Sequence, residues 1–189
     1  MDVTPTDIPG VLLLKPRYFH DPRGYFVETY NARAAGAAGL QAEFVQDNQA
    51  LSRKRGTVRA LHFQAPPKAQ AKLVRVLRGA IYDVALDLRA GSPSYGSWVA
   101  ATLTAQGGEQ IFVPRGFAHG YCTLEADTEV AYKVDDYYAP ESEAGIVWDD
   151  ATLAIGWPVN AADAVLSDRD RKLPRFADFA SPFRYDAGR

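Results

Sequence analysis

Hydrophobic and polar side chains alternate with a period of two along most of the chain after residue 56, and this period predicts β-strands. In residues 80–88 the even-numbered positions share one face, while the odd-numbered ones, with Asp83 and Asp87, share the other. Residues 117–124 and 128–134 repeat the pattern. Glycine and proline separate these runs, as in turns between strands, at Gly79, Gly91–Pro93, Gly107–Gly108, Pro114–Gly116 and Pro140. Many short strands without interleaved helices indicate an all-β sandwich, barrel or jelly roll, and we favour a jelly roll.

Two segments predict short helices. Residues 32–42 are rich in alanine, although Gly36 and Gly39 weaken their helical tendency. Near the C-terminus, Ser167 followed three residues later by Asp170 is typical of the start of a short helix. Neither segment looks like a linker, so we expect residues 1–189 to form one domain.

Composition excludes several classes of protein. The 189 residues are 47% hydrophobic and 23% charged with a net charge of −2, which gives no basic surface for nucleic acid or an anionic membrane. Cys122 is the one cysteine, so the chain forms no intrachain disulfide and no cysteine-only zinc cluster. The first residues are not those of a signal peptide, and the run Val11–Leu14 is too short to span a bilayer. We therefore expect a cytoplasmic protein.

The chemistry-bearing residues give no local metal or nucleotide motif. The three histidines, His20, His62 and His119, are 42 and 57 residues apart, which is not the spacing of a metal-ligand pair. The sequence has neither a GxxxxGK[ST] loop nor a GxGxxG turn, so nucleotide hydrolysis and dinucleotide redox chemistry lack their signatures.

Several polar residues nevertheless occupy strand segments where a core is usually apolar. They are His62 in VRALHFQ, Lys72 in AKLVRV, His119 in GFAHGY and Tyr132 in EVAYKV. Each has an ordinary structural interpretation: a strand histidine is often a bonded core residue, a tyrosine packs its ring, and a flanking lysine is solvated. Asp170 has one too, since with Ser167 it fits a helix cap.

Ten ordered stretches together resemble the dTDP-4-dehydrorhamnose 3,5-epimerase family, metal-free cupin enzymes of deoxysugar biosynthesis. The stretches are DPRGYFVE (21–28), QDN (46–48), VRALHFQ (58–64), KLVRVLRG (72–79), DVALDLRAGSPSYG (83–96), VPRGFAHGY (113–121), YKVDDYYAP (132–140), GIVWDD (145–150), IGWP (155–158) and LSDRD (166–170). The resemblance implies a cupin jelly roll that needs no metal and no cofactor. It also implies a homodimer whose N-terminal strand residues, here within 19–28, reach the neighbour's site.

The resemblance implies an epimerase of a dTDP-4-keto-6-deoxyhexose, inverting carbons 3 and 5. Hydrogens beside the ketone are weakly acidic, so the site needs a base, an acid on the opposite face and a donor for the enolate oxygen. By resemblance His62 is the base, Tyr132 the proton donor and Lys72 the group that faces the keto oxygen. Asp170 is the carboxylate partner of His62 by resemblance, although the residues alone leave Asp83 and Asp168 equally eligible.

The remaining matches concern substrate binding. Arginine binds phosphate oxygens in a bidentate manner, and the resemblance gives this role to Arg23, Arg59 and Arg169. Further substrate contacts by resemblance are Glu28, Gln46, Asp47, Asn48, His119 and Glu143. Candidates for stacking on the thymine ring are Phe19, Phe26 and Tyr138.

The chain also departs from the family pattern at a few positions. Ala60 and Ala50 stand where the family usually has Gly and Ser, Phe63 replaces a frequent Tyr, and Arg169 replaces a common Lys. Strict alternation would put Arg59 and His62 on opposite faces although both are expected at one substrate. The sequence therefore predicts a bulge or a bend near Ala60.

Three other functions remain open from sequence. One is an epimerase that inverts carbon 5 alone or acts on another 4-keto nucleotide sugar. Another is a sugar-binding cupin without catalysis, which would need neither His62 nor Asp170. The third is a metal-dependent cupin oxygenase, which would contain iron.

Overall fold

A computed structural model describes residues 1–186, and within them it contains thirteen β-strands, one α-helix and three short 3-10 helices. The strands are β1 (Asp2–Pro5), β2 (Leu12–Lys15), β3 (Tyr18–Asp21), β4 (Gly24–Val27), β5 (Gln46–Ser52), β6 (Val58–Gln64), β7 (Lys72–Arg78), β8 (Ala80–Asp87), β9 (Trp98–Thr104), β10 (Gln110–Val113), β11 (Phe117–Thr123), β12 (Thr128–Val134) and β13 (Glu143–Gly145). Helix α1 covers Ala32–Ala37, and the 3-10 helices are Pro140–Ser142, Asp170–Lys172 and Phe176–Asp178.

The strands form two facing antiparallel sheets and a separate hairpin. One sheet has the order β1-β2-β10-β7-β12-β5, the other has the order β13-β6-β11-β8-β9, and β3 pairs with β4. From β5 onward the chain passes repeatedly from one sheet to the other, so most neighbours in a sheet are distant in sequence, with the hairpin β8–β9 as the exception. This is the cupin-type jelly roll, and the predicted all-β fold is confirmed.

Apolar side chains fill the space between the sheets and also cover both outer faces. The interior layer includes Val74 from β7, Ile81 and Ala85 from β8, and Val130 from β12. On the outer side of the five-stranded sheet, the even-numbered residues of β8 pack in a second cluster beneath the C-terminal segment. This second cluster explains why β8 is apolar on both faces. A third cluster on the outer face of the six-stranded sheet packs against α1.

The alanine-rich segment forms the predicted helix, but a short one. The Asn31 side chain caps its first turn by accepting a hydrogen bond from the Ala34 N–H, and the helix ends at Ala37, before Gly39. The predicted C-terminal helix is a single 3-10 turn, Asp170–Lys172, whose first N–H donates to Ser167 Oγ. Within residues 1–186 none of the helices has the length and apolar character needed to cross a membrane.

Candidate active site

A cavity of about 460 Å³ opens between the two sheets. Strands of both sheets contribute to its walls, and the segment 165–170 closes one side. It brings together eight of the residues predicted from sequence: Arg59, His62, Lys72, His119, Tyr132, Glu143, Arg169 and Asp170. These residues lie far apart in the sequence, so the jelly-roll topology assembles the site.

A bulge in β6 places Arg59 and His62 on the same side, as predicted. In the pairing with β11, Arg59 is opposite Tyr121 and His62 is opposite His119, so two residues of β6 face the single residue Gly120. The extra residue reverses the alternation, which is what a β-bulge does. Both side chains consequently line the cavity.

Gly120 is required at this bulge because the backbone of β6 approaches it closely. A Cβ at position 120 would collide with the methyl group of Ala60. Ala60 itself is fully buried in the cluster outside the five-stranded sheet and does not line the cavity. The methyl group at this departure from the family pattern is therefore accommodated in the core, whereas Ala50, the other departure, does line the cavity.

His62 is paired with Asp170. Its Nε2 atom lies 2.6 Å from Asp170 Oδ1, and the carboxylate is 5% exposed while the imidazole is 26% exposed. In the short 3-10 turn the Asp170 N–H donates to Ser167 Oγ, and the Asp170 side chain is buried. The geometry thus selects Asp170 from the three carboxylates that the sequence alone left eligible.

His119 has a carboxylate partner of its own. Its Nε2 lies 2.8 Å from Asp83 Oδ2, and both side chains are buried. Burial raises the pKa of Asp83, although His119 and Lys72 act in the opposite direction. Burial also lowers the pKa of Lys72 to about 8, against the opposing influence of Asp83 and Glu143.

Tyr132 comes from β12, in the sheet opposite to that of His62. Its register partner on β7 is Val74, which is an interior residue, so the tyrosine side chain also points between the sheets. Burial raises the pKa of its phenol, and Glu143 adds to this effect while Arg59 opposes it. The hydroxyl is therefore protonated at neutral pH.

A hydrogen-bonded group stands at the edge of the cavity. Glu143 Oε2 accepts from the Tyr138 hydroxyl at 2.7 Å and from Arg169 Nη1 at 2.6 Å. Burial disfavours the charge on Glu143, but the bonds from Tyr138 and Arg169 outweigh it and lower the pKa of this carboxyl. Glu143 thereby links β13 to the segment that carries Asp170.

The QDN segment is divided between two faces of its strand. Gln46 and Asn48 line a hollow of about 110 Å³ that adjoins the cavity and shares Tyr132 with it. Asp47 is not brought into the cavity, because alternation along β5 turns it to the outer face. There its carboxylate lies 2.7 Å from Lys133 Nζ.

The predicted residues of the hairpin β3–β4 also lie outside this cavity. Phe19 and Phe26 are cross-strand partners, and they are 51% and 69% exposed. Arg23 is at the turn, where it binds the carboxylate of Asp21 at 2.6 Å, and Glu28 follows β4 on the surface.

Sequence reasoning missed two buried polar groups of the cavity region. From sequence, Asp83 is eligible only as a partner for His62, and Tyr121 has no predicted role. The alternation of residues 117–124 already puts Tyr121 on the same side as His119, which was the available signal. Within residues 1–186 no three His, Cys, Asp or Glu side chains come together as a set that could hold a metal ion.

Fold and site together define a cupin jelly roll with a polar ligand cavity between its sheets. A sequence model of the family described as dTDP-4-dehydrorhamnose 3,5-epimerase matches residues 5–178. The chain belongs to this family.

Individual relatives agree with this result. The dTDP-4-dehydrorhamnose 3,5-epimerase of Pseudomonas aeruginosa is 48% identical over 179 residues, which cover 94% of this chain and 97% of the relative. The crystal structure of a dTDP-6-deoxy-D-glucose-3,5-epimerase from Legionella pneumophila, in complex with dTDP-4-keto-L-rhamnose, superposes with a TM-score of 0.92. That chain is 39% identical, with 98% of this chain and 99% of the other covered. A dTDP-4-dehydrorhamnose 3-epimerase of Streptomyces niveus is 37% identical over 90% of this chain and 82% of its own length.

Proposed function

We propose that this protein converts dTDP-4-dehydro-6-deoxy-D-glucose to dTDP-4-dehydro-L-rhamnose by inverting carbons 3 and 5. The observation that carries the proposal is the placement of a histidine–aspartate pair and a tyrosine on opposite walls of one cavity. An inversion through an enolate needs a base on one face of the sugar and an acid on the other. Membership of the epimerase family supports the same substrate.

His62 is the base in this mechanism. Its Nε2 is held by Asp170, so Nδ1 is the nitrogen that takes a proton from carbon 3 or carbon 5. The C–H electron pair forms the C=C bond of the enolate while the carbonyl π pair moves onto the keto oxygen, and the imidazole becomes an imidazolium. The negative charge of Asp170 stabilises that imidazolium and fixes the orientation of the ring.

Tyr132 is the acid, and Lys72 stabilises the oxyanion. The phenol donates its proton to the carbon from the face opposite His62. An enolate carbon is a stronger base than phenolate, so this transfer is favourable. Before the next inversion the phenolate regains a proton from solvent, and the imidazolium of His62 releases its proton to solvent. The ammonium group of Lys72 faces the keto oxygen, where negative charge develops during deprotonation.

The other cavity residues bind the nucleotide sugar. Arg59 and Arg169 neutralise the diphosphate, and Tyr138 at the cavity edge stacks on the thymine ring. The polar contacts to the substrate come from Gln46, Asn48, His119 and Glu143.

The hairpin β3–β4 completes the site of a second subunit in a homodimer. Phe19 and Phe26 are large, exposed and adjacent, which is unfavourable unless another surface covers them. Together with Arg23 and Glu28 they supply aromatic and charged groups for the nucleotide in the neighbouring cavity. We place the enzyme in the cytoplasm as a single domain, where its product feeds rhamnose-containing polysaccharides.

Incubation with dTDP-4-dehydro-6-deoxy-D-glucose in heavy water tests the function directly. We expect the sugar to gain two solvent deuterons, one at carbon 3 and one at carbon 5, as measured by mass spectrometry and NMR. The variant His62→Ala should incorporate none at either carbon. Incorporation at a single carbon would show a mono-epimerase like the Streptomyces niveus relative or a carbon-5 enzyme. Binding of dTDP without any exchange would show a sugar-binding protein.

A further inference from the structure

A buried carboxylate next to the cavity has no role in the mechanism described so far. Asp83 is fully buried, and its Oδ2 is 2.8 Å from His119 Nε2. Its second oxygen, Oδ1, is also buried and has no hydrogen-bond partner within residues 1–186. An unpaired buried carboxylate oxygen costs folding free energy, and this cost points to a functional role for Asp83.

Asp83 acts on two nitrogen-bearing groups that come from different sheets. His119 reaches it from β11 in the same sheet, and Lys72 interacts with it electrostatically from β7 in the opposite sheet. A lysine ammonium loses much of its hydration in such an interior and keeps its charge only beside a negative group. Asp83 therefore opposes the effect of burial on Lys72.

We infer that Asp83 is a positioning residue for the epimerisation: its negative charge holds Lys72 in the charged form, so that the ammonium can donate to the substrate, and its bond to Nε2 fixes the His119 ring in the cavity wall. The inference rests on the proposed function. It differs from the role of Asp170, since Asp170 acts on the base and Asp83 acts on the oxyanion side.

Other titratable groups face Lys72 from the elements around the cavity. Besides Asp83 of β8 they are Arg59 and His62 of β6, His119 and Tyr121 of β11, Tyr132 of β12, Glu143 of β13, and Arg169 and Asp170 of the C-terminal segment. Among the other carboxylates, Asp170 is already bound to His62, and the charge of Glu143 is already shared with Arg169 and Tyr138. Asp83 Oδ1 has no hydrogen-bond partner within residues 1–186, so we assign Asp83 the larger share of the negative charge that stabilises the Lys72 ammonium.

The near-isosteric variant Asp83→Asn tests this role through the pH dependence of kcat. In the wild type the rate should fall on the alkaline side as Lys72, with a pKa of about 8, loses its proton. Removing the negative charge favours the neutral amine, so the alkaline limb should move to lower pH by about one unit. A role limited to core packing would reduce the rate or the stability without moving this limb.

Asp150→Asn is the matched control. Asp150 is also a buried carboxylate, but its oxygens accept from the backbone N–H groups of Thr152, Leu153 and Phe176, away from the cavity. We expect the alkaline limb of the kcat profile of Asp150→Asn to stay at the wild-type position.

A direct titration separates this inference from the proposed function. The chain has six lysines, so the ¹³Cε signals of labelled lysine can be resolved, and Lys72→Met assigns the signal of Lys72. Its midpoint should be about 8 in the wild type and lower in Asp83→Asn. An inactive wild type would overturn the proposed function, whereas an unchanged midpoint in folded Asp83→Asn would overturn the role of Asp83. Should Asp83→Asn not fold, Asp83→Glu retains the charge and should keep the wild-type midpoint. A midpoint lowered in Asp83→Glu would also contradict the inference.

Discussion

The two cavity histidines are held alike but differ in exposure. Each has Nε2 bound to a buried aspartate, Asp170 for His62 and Asp83 for His119. The His62 side chain is 26% exposed and the His119 side chain is 7% exposed. A base must contact the hydrogen that it removes, so the more open ring of His62 is the one suited to proton transfer, whereas the enclosed ring of His119 suits a fixed place in the cavity wall.

Lys72→Ala measures the contribution of the ammonium group at the keto oxygen. A preorganised donor at a developing oxyanion contributes about 2.7–4 kcal/mol, so we expect kcat to fall by about 10²–10³ while the fold is retained. Steady-state kinetics and circular dichroism check both parts. Lys15→Ala is the control, because Lys15 is the last residue of β2 and pairs with Glu109 outside the cavity. A turnover number unchanged in Lys72→Ala would remove the residue from the mechanism.

At the scale of elements, the turn that follows β8 depends on one carboxylate. Asp87 is fully buried and accepts hydrogen bonds from Arg89, Ser92 and Ser94. Burial alone would raise the pKa of Asp87, but these bonds outweigh it, and the pKa lies below its ordinary value of 3.8. The carboxylate therefore stabilises the fold above its ordinary pKa, and this stabilisation is lost as the pH falls through the lowered value.

Asp87→Asn should destabilise the protein in a pH-dependent way. An amide cannot accept all the bonds that Asp87 receives, so we expect the free energy of unfolding to drop by about 2 kcal/mol near neutral pH. Urea unfolding should show that the free energy of unfolding of the variant differs less from that of the wild type at about pH 3 than at about pH 7. The exposed Asp149→Asn should change stability by less than about 0.5 kcal/mol at either pH. A pH-independent difference for Asp87→Asn would contradict this account.

Strands could be predicted where burial alone shapes them. β8, β11 and β12 can be predicted as strands because their side chains pack in the core, whereas β5 reads QDNQALS and has no such apolar pattern. Its inward positions, Gln46 and Asn48, are polar because they face a cavity, so β5 lacks the apolar alternation that identifies a strand in the sequence. The bulge in β6 could be inferred only from the conflict between alternation and the expected roles of Arg59 and His62. The pairing of Asp83 depends on register between distant strands, which local pattern does not contain.

At the scale of the whole molecule, the site needs both sheets, and one group of predicted residues is still missing from it. His62 and Tyr132 face each other from different sheets, while Phe19, Phe26 and Arg23 project on a hairpin away from this cavity. Oligomers with two-fold symmetry exchange identical elements reciprocally, so a hairpin given to the neighbour is returned by it. The proposed homodimer then has two composite sites.

A mixed dimer tests this sharing. One subunit carries His62→Ala and the other carries Phe26→Ala with Arg23→Ala, and different affinity tags allow the heterodimer to be purified. The cavity with an intact His62 then receives the intact hairpin of its partner, while the other site has both defects. We expect each homodimeric variant to be nearly inactive and the heterodimer to regain about half of the wild-type activity, since one of two sites is complete. If each cavity used its own hairpin, neither site in the mixed dimer would be intact. Activity would then stay at the residual level of the parents, and sharing would be wrong.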